Sequence, residues 1–138
     1  MQASEVEAFF AAYAADFSAL DGQAVASRCS VPLSIAHAGG VTAWTDAEPL
    51  RANMLALCEI YRGAGLSEAV PLILETVPLG PDDGFVLVRW TLRRADASVL
   101  QVFRTGYQLK RLEGAWRVVF VTAFEENLQA LKRAAAAP

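Results

Sequence analysis

Three strand-forming runs stand almost end to end between residues 83 and 124, and they constrain this chain more than any other feature. The runs GFVLVRWTLRR (84–94), SVLQVFRTGYQLKR (98–111) and AWRVVFVTAF (115–124) are separated only by Ala95-Asp96-Ala97 and Leu112-Glu113-Gly114. Connections that short can join only antiparallel neighbours, because a parallel return needs a dozen residues or more. The region therefore reads as a meander. In its first strand Val86, Val88, Trp90 and Leu92 form a wholly apolar face, while Phe85, Leu87, Arg89, Thr91 and Arg93 form a mixed one, so the first set is expected to face the interior. In the second strand the odd positions, Val99 to Leu109, are expected to point inward. The third is apolar on both sides, which predicts cover on both faces, with a second subunit as one source of it.

The segment before the meander is mostly helical. Ser4 and Glu7 have the spacing of a capping box, and Val6, Phe9, Phe10, Tyr13, Phe17 and Leu20 then recur at helical intervals. Asp21-Gly22 breaks that helix, and a short turn through Val25 and Arg28 follows. From Val31-Pro32 the chain is extended, with Leu33, Ile35 and His37 on one side, up to a hairpin turn at Gly39-Gly40. Thr45 and Glu48 suggest a second capping box, opening a helix that stripes Leu50, Met54, Leu57, Cys58 and Tyr61 and stops at Gly63 or Gly65. A strand over 66–79, a turn at Gly80-Pro81-Asp82-Asp83-Gly84, and a final alanine-rich helix over 125–137 complete the plan.

Several function classes are excluded or disfavoured at this level. The 138 residues make one domain, 1–138, with enough chain for a single core. The apolar fraction is 54%, yet no run approaches a membrane span, and the acidic N-terminus MQASEVEAFF lacks the basic start of a secretory leader. A cytoplasmic location is expected, with Cys29 and Cys58 reduced and buried. The net charge of -3 hides a basic stretch over 89–117, with Arg89, Arg93, Arg94, Arg104, Lys110, Arg111 and Arg117 against Asp96 and Glu113. These side chains lack interleaved exposed aromatics, so a solvated outer face fits better than nucleic-acid binding. One His and two distant Cys are a poor ligand supply for zinc, so no metal is expected. Gly63-Ala64-Gly65 follows a helix and precedes a strand, the reverse of a dinucleotide fingerprint, so no cofactor is expected either.

The order of elements, with the helix face Phe9, Phe10, Tyr13 and Phe17, the Pro32-Leu33-Ser34-Ile35 segment with Gly39-Gly40, and Tyr107-Gln108-Leu109-Lys110-Arg111 followed by Gly114-Ala115-Trp116-Arg117-Val118, resembles the nuclear transport factor 2-like superfamily, in particular its small SnoaL-like members. The resemblance covers nearly the whole chain. It implies an α+β fold in which a cone-shaped, curved antiparallel sheet packs on N-terminal helices, the cystatin-like half-barrel, with a deep apolar pocket and pairing through the outer sheet face. Relatives include isomerases, dehydratases and cyclases as well as proteins that only bind or scaffold.

The candidate catalytic residues are Tyr13, Asp16 and His37. By resemblance, Tyr13 matches the first-helix tyrosine that donates a hydroxyl in steroid-isomerase-like relatives. Asp16, one turn on at the edge of the apolar face, is a candidate proton acceptor or donor, and a rim aspartate in water is the plainer alternative. His37, the only histidine, could move a proton or simply be hydrogen-bonded in place. The inferred inner faces of the meander offer no carboxylate. Trp44 at the rim, Tyr61, Trp90, Phe103, Thr105 and Tyr107 are the expected pocket lining, suited to a flat, mostly apolar molecule held by a few hydrogen bonds. Three functions follow: a small-molecule-binding homodimer, an acid-base enzyme of isomerase, dehydratase or cyclase type, and a protein-interaction module.

Overall fold

The computed structural model describes residues 1–136, so the last residue of the expected final helix, Ala137, lies outside the described residues. The elements run α1 (Ala3–Ser18), α2 (Gly22–Ser27), β1 (Cys29–His37), β2 (Gly40–Trp44), α3 (Ala47–Ala64), β3 (Glu68–Pro78), β4 (Asp83–Arg93), β5 (Val99–Leu112), β6 (Ala115–Thr122) and α4 (Leu128–Ala136). One six-stranded curved sheet has the order β2-β1-β6-β5-β4-β3, and the helices pack on its concave side. The fold is α+β and the sheet is open. All pairings are antiparallel except β1 with β6, where the early hairpin returns beside the last strand. None of the described helices is long and apolar enough to cross a membrane.

Alternation in β4 and β5 builds the floor of the cone. Trp90 lies opposite Phe103, Val88 opposite Thr105 and Val86 opposite Tyr107, and all six are buried. Each fully buried aliphatic side chain in such a layer contributes about 1.5–3 kcal/mol. On the other side of the sheet Phe85 lies over Gly106, where a Cβ would come within 3.0 Å of the ring. The β5–β6 connection is a two-residue loop between Leu112 and Ala115, with φ of 51° at Glu113 and 79° at Gly114. Both signs match the hairpin turn whose twist suits paired strands.

Both expected capping boxes are absent, for a traceable reason. Helix α1 starts at Ala3 with Gln2 as its N-cap, so Ser4 already sits inside the first turn. Helix α3 starts after Asp46, and Glu48 instead pairs with Arg51 at 2.6 Å. The expected stop of α3 at a glycine is met by Gly65, which adopts the left-handed conformation with φ of 89°.

The last strand differs from a strict alternation. Gln108 pairs with Phe120 but Leu109 pairs with Val118, leaving Val119 as an extra residue. A bulge of this kind reverses the parity of everything beyond it, so Val118 and Val121 are both buried while Phe120 is 37% exposed. The chain itself covers one face of β6, not two. Cys29 and Cys58 are unpaired and buried, and burial pushes the Cys29 thiol up to about 12.

Candidate functional site

Between the concave sheet and helices α1 and α3 lies a cavity of about 520 Å³, within the range of small-molecule sites. Its deep wall comes from buried residues on four elements: Tyr13 and Phe17 of α1, Tyr61 of α3, Trp90 of β4, and Phe103, Thr105 and Tyr107 of β5. The rings touch one another. Tyr13 lies 5.1 Å from Phe17 and 5.8 Å from Tyr107 between centroids, and Phe17 lies 5.8 Å from Tyr61. The opening is marked by the exposed side chains His37 and Thr42 from the β1–β2 hairpin and Ala56 from α3, with Trp44 partly buried beside them.

Polar groups in this wall are few and most are engaged. Trp90 Nε1 donates to the Tyr107 hydroxyl at 2.8 Å. Burial raises the Tyr107 and Tyr61 hydroxyls well above the ordinary phenol value. Tyr13 is raised for the same reason, and it too lines the cavity. All three phenols are therefore neutral donors at any physiological pH. His37 is fixed at both nitrogens: the Gly39 amide donates to Nδ1 at 3.1 Å, which leaves the proton of the neutral ring on Nε2, 2.9 Å from Thr42 Oγ1.

Asp16 takes no part in the cavity wall. Its carboxylate forms an ion pair and hydrogen bond with Arg28 at the end of α2. The structure thus brings Tyr13 and His37 to one cavity and commits Asp16 to bracing α1 against α2.

The carboxyl inside the cavity is Glu126, which alternation within the strands does not reveal because it lies beyond β6. Its neighbours fix it. Glu125 turns outward to Arg104, accepting from the backbone amide at 2.9 Å and from Nε at 2.6 Å. Asn127 is clamped to Gln101, donating from its amide at 2.9 Å and accepting at its carbonyl at 3.1 Å, and its side chain caps α4 through the Ala130 amide. With both flanking residues held to β5, Glu126 turns inward and accepts a hydrogen bond from the Tyr61 hydroxyl. Burial lifts its carboxyl from 4.5 to about 7, against the opposing pull of the Tyr61 hydrogen bond. The sequence carries no period-two signal for it, since residues 123–127 are irregular. Among the described residues, no group of three or more His, Cys, Asp or Glu side chains is placed to hold a metal ion.

Residues 4–126 match the family model described as NTF2-like protein (DUF6841). No curated protein matches the sequence. Among solved structures, an NTF-2 like protein of unknown function from Shewanella oneidensis superposes with a TM-score of 0.73 at 14% identity, covering 91% of this chain and 100% of that one. A ketosteroid isomerase-like protein from Erwinia carotovora atroseptica gives 0.66 at 19% identity, covering 90% and 95%. A protein of unknown function with a cystatin-like fold from Nostoc punctiforme gives 0.66 at 11%, covering 88% and 89%. Identities this low are a likeness of fold alone.

Proposed function

The chain belongs to the NTF2-like family DUF6841, and from that premise we propose that it binds one small, mostly apolar molecule in the cone. The observation that carries the reading is the cavity itself. The interior is not filled by its own aromatic side chains; it leaves about 520 Å³ walled by Tyr13, Phe17, Tyr61, Trp90, Phe103 and Tyr107. Apolar walls supply affinity through burial, and the few polar atoms supply orientation. A neutral apolar fluorophore such as N-phenyl-1-naphthylamine is expected to bind at one per chain and to be lost when Leu57→Trp fills the cavity from α3. Absence of saturable binding in the unmodified protein would refute the pocket.

A second reading is favoured by a specific observation. Glu126 carries a carboxyl that titrates near neutrality, at about 7, where a group can both accept and return a proton. In this reading Glu126 moves the proton on a carbonyl-bearing ligand, the neutral Tyr13 hydroxyl stabilises the developing oxyanion, and His37 lines the entrance. Asp16, held by Arg28, is not called on in this reading. Deuterium exchange at the carbon next to the carbonyl of small ketones would detect it, with loss of exchange in Glu126→Gln as the expected result. For assembly, pairing of two copies through the outer face of the sheet is supported by the exposed apolar residues there, Leu72 and Val102 among them.

A further inference from the structure

The charge inventory of the cavity is lopsided. Among the described residues no Lys or Arg lines it, and the only ionisable side chains in its wall besides the three phenols are His37 at the opening and Glu126 within. The neighbouring carboxylate has a cation of its own: Glu125 is satisfied by Arg104 at 2.6 Å. Glu126 has none; its one side-chain partner among the described residues is the neutral Tyr61 hydroxyl, on Oε2. A carboxylate in an apolar site without a counter-charge is unfavourable, so it either holds a proton or takes a counter-charge from a ligand. The cavity wall is rich in aromatic rings, including Trp90 and Tyr13 with centroids 6.2 Å apart and Phe17 with Trp90 at 6.4 Å. Aromatic rings attract cations through their quadrupoles, and a desolvated site strengthens that attraction. Anionic ligands meet no Lys or Arg among the described residues of the wall.

We propose that the ligand of this cavity carries a cationic amine, tertiary or quaternary, seated among the aromatic rings with the Glu126 carboxylate as its counter-charge. The proposal rests on the pocket reading and gives its occupant a head group. The apolar body of the ligand fills the remaining cavity against Met54, Leu57 and Val121. The head group lies within reach of Glu126 Oε1, the oxygen that Tyr61 leaves free.

Tyr61 from α3 touches Glu126, and Tyr13 from α1, Tyr107 from β5 and His37 from β1 are the other titratable side chains of the cavity wall among the described residues. The tyrosines stay neutral, which leaves Glu126 itself and the imidazole as the groups to be separated by experiment. Protonation of Glu126 discharges the site, so the affinity for a cation falls as pH falls below about 7 and is full above it.

The test uses a matched pair of probes, phenyltrimethylammonium and its uncharged isostere tert-butylbenzene, followed through the emission of Trp44 and Trp90 in the cavity wall. Phenyltrimethylammonium is expected to bind about tenfold or more tightly at pH 8.5 than at pH 5.5. Glu126→Gln is expected to weaken it about tenfold while leaving tert-butylbenzene within about twofold, and His37→Gln is expected to keep the pH profile. Equal affinity of the cation for the unmodified protein and for Glu126→Gln overturns the proposal. Binding of tert-butylbenzene without binding of phenyltrimethylammonium overturns it while the pocket reading stands. Binding of neither overturns both.

Discussion

At Glu126 the fold keeps a carboxyl where its neutral form is favoured, and that preference is measurable as stability. Its value in the folded protein is raised, to about 7 from 4.5, so the folded state holds the proton more tightly than the unfolded chain does. The associated stability is complete below about pH 4.5 and is lost as pH rises through about 7, amounting to about 3 kcal/mol as an upper figure. Glu126→Gln keeps an acceptor for Tyr61 and removes the ionisation. The variant is therefore expected to match the parent near pH 5 and to exceed it by about 1–3 kcal/mol at pH 8.5, in urea unfolding followed by tryptophan emission. Equal stability of the two at both pH values would mean that Glu126 ionises as an ordinary exposed glutamate. Tyr61→Phe makes the complementary prediction. Deleting the hydroxyl that donates to the carboxylate removes the one influence pulling its value down, so an NMR titration of the Glu126 side chain should move upward.

Among the elements, two glycines separate packing from propensity. Gly22, the first residue of α2, lies against the backbone of α3: a Cβ there would stand 2.8 Å from the Leu55 Cα and amide nitrogen. Backbone cannot swing aside, so Gly22→Ala is expected to cost about 1–3 kcal/mol through displacement of α2 from α3. Gly63, near the end of α3, has only the Ala135 Cβ within 4 Å, at 3.4 Å, so Gly63→Ala is expected to be neutral or to stabilise by up to about 1 kcal/mol. Thermal melts of both check the contrast, and a Gly22→Ala protein as stable as the parent would show that the two helices are not in contact as described. This close approach is invisible in the sequence, where Asp21-Gly22 reads only as a helix break. The meander, by contrast, is legible because its strands carry period-two patterns long enough to fix which face is inside, as the buried series Val86, Val88, Trp90 and Leu92 illustrates. Legibility ends where period two ends. The bulge at Val119 turns Val121 inward, and Glu126 lies in irregular chain aimed by its neighbours' contacts, so the carboxyl of the cavity could not be read from alternation. Helical spacing puts Asp16 near the apolar stripe, and Arg28, twelve residues away, takes its carboxylate, a contact that spacing alone does not reveal.

The whole molecule uses the two sides of its sheet differently. The concave side closes on helices and a cavity, whereas the convex side keeps Leu72 at 50% and Val102 at 52% exposure in neighbouring rows of β3 and β5, with Phe120 further along on β6. A stable dimer needs about 800 Å² from each partner, a small share of a total accessible surface of 7185 Å². If two copies pair through this face, Val102→Glu introduces a charge on each side of the interface with nothing inside either chain to disturb, since Val102 does not line the cavity. Sedimentation equilibrium at about 50 µM, a concentration at which a micromolar complex is nearly full, should then give a dimer for the parent and a monomer for Val102→Glu. Because cavity and convex face lie on opposite sides of one sheet, the monomeric variant should bind N-phenyl-1-naphthylamine with unchanged affinity. A parent that sediments as a monomer removes the dimer. A dimer that Val102→Glu leaves intact moves the interface elsewhere, and loss of fluorophore binding together with the dimer would show that the two faces are coupled through β5.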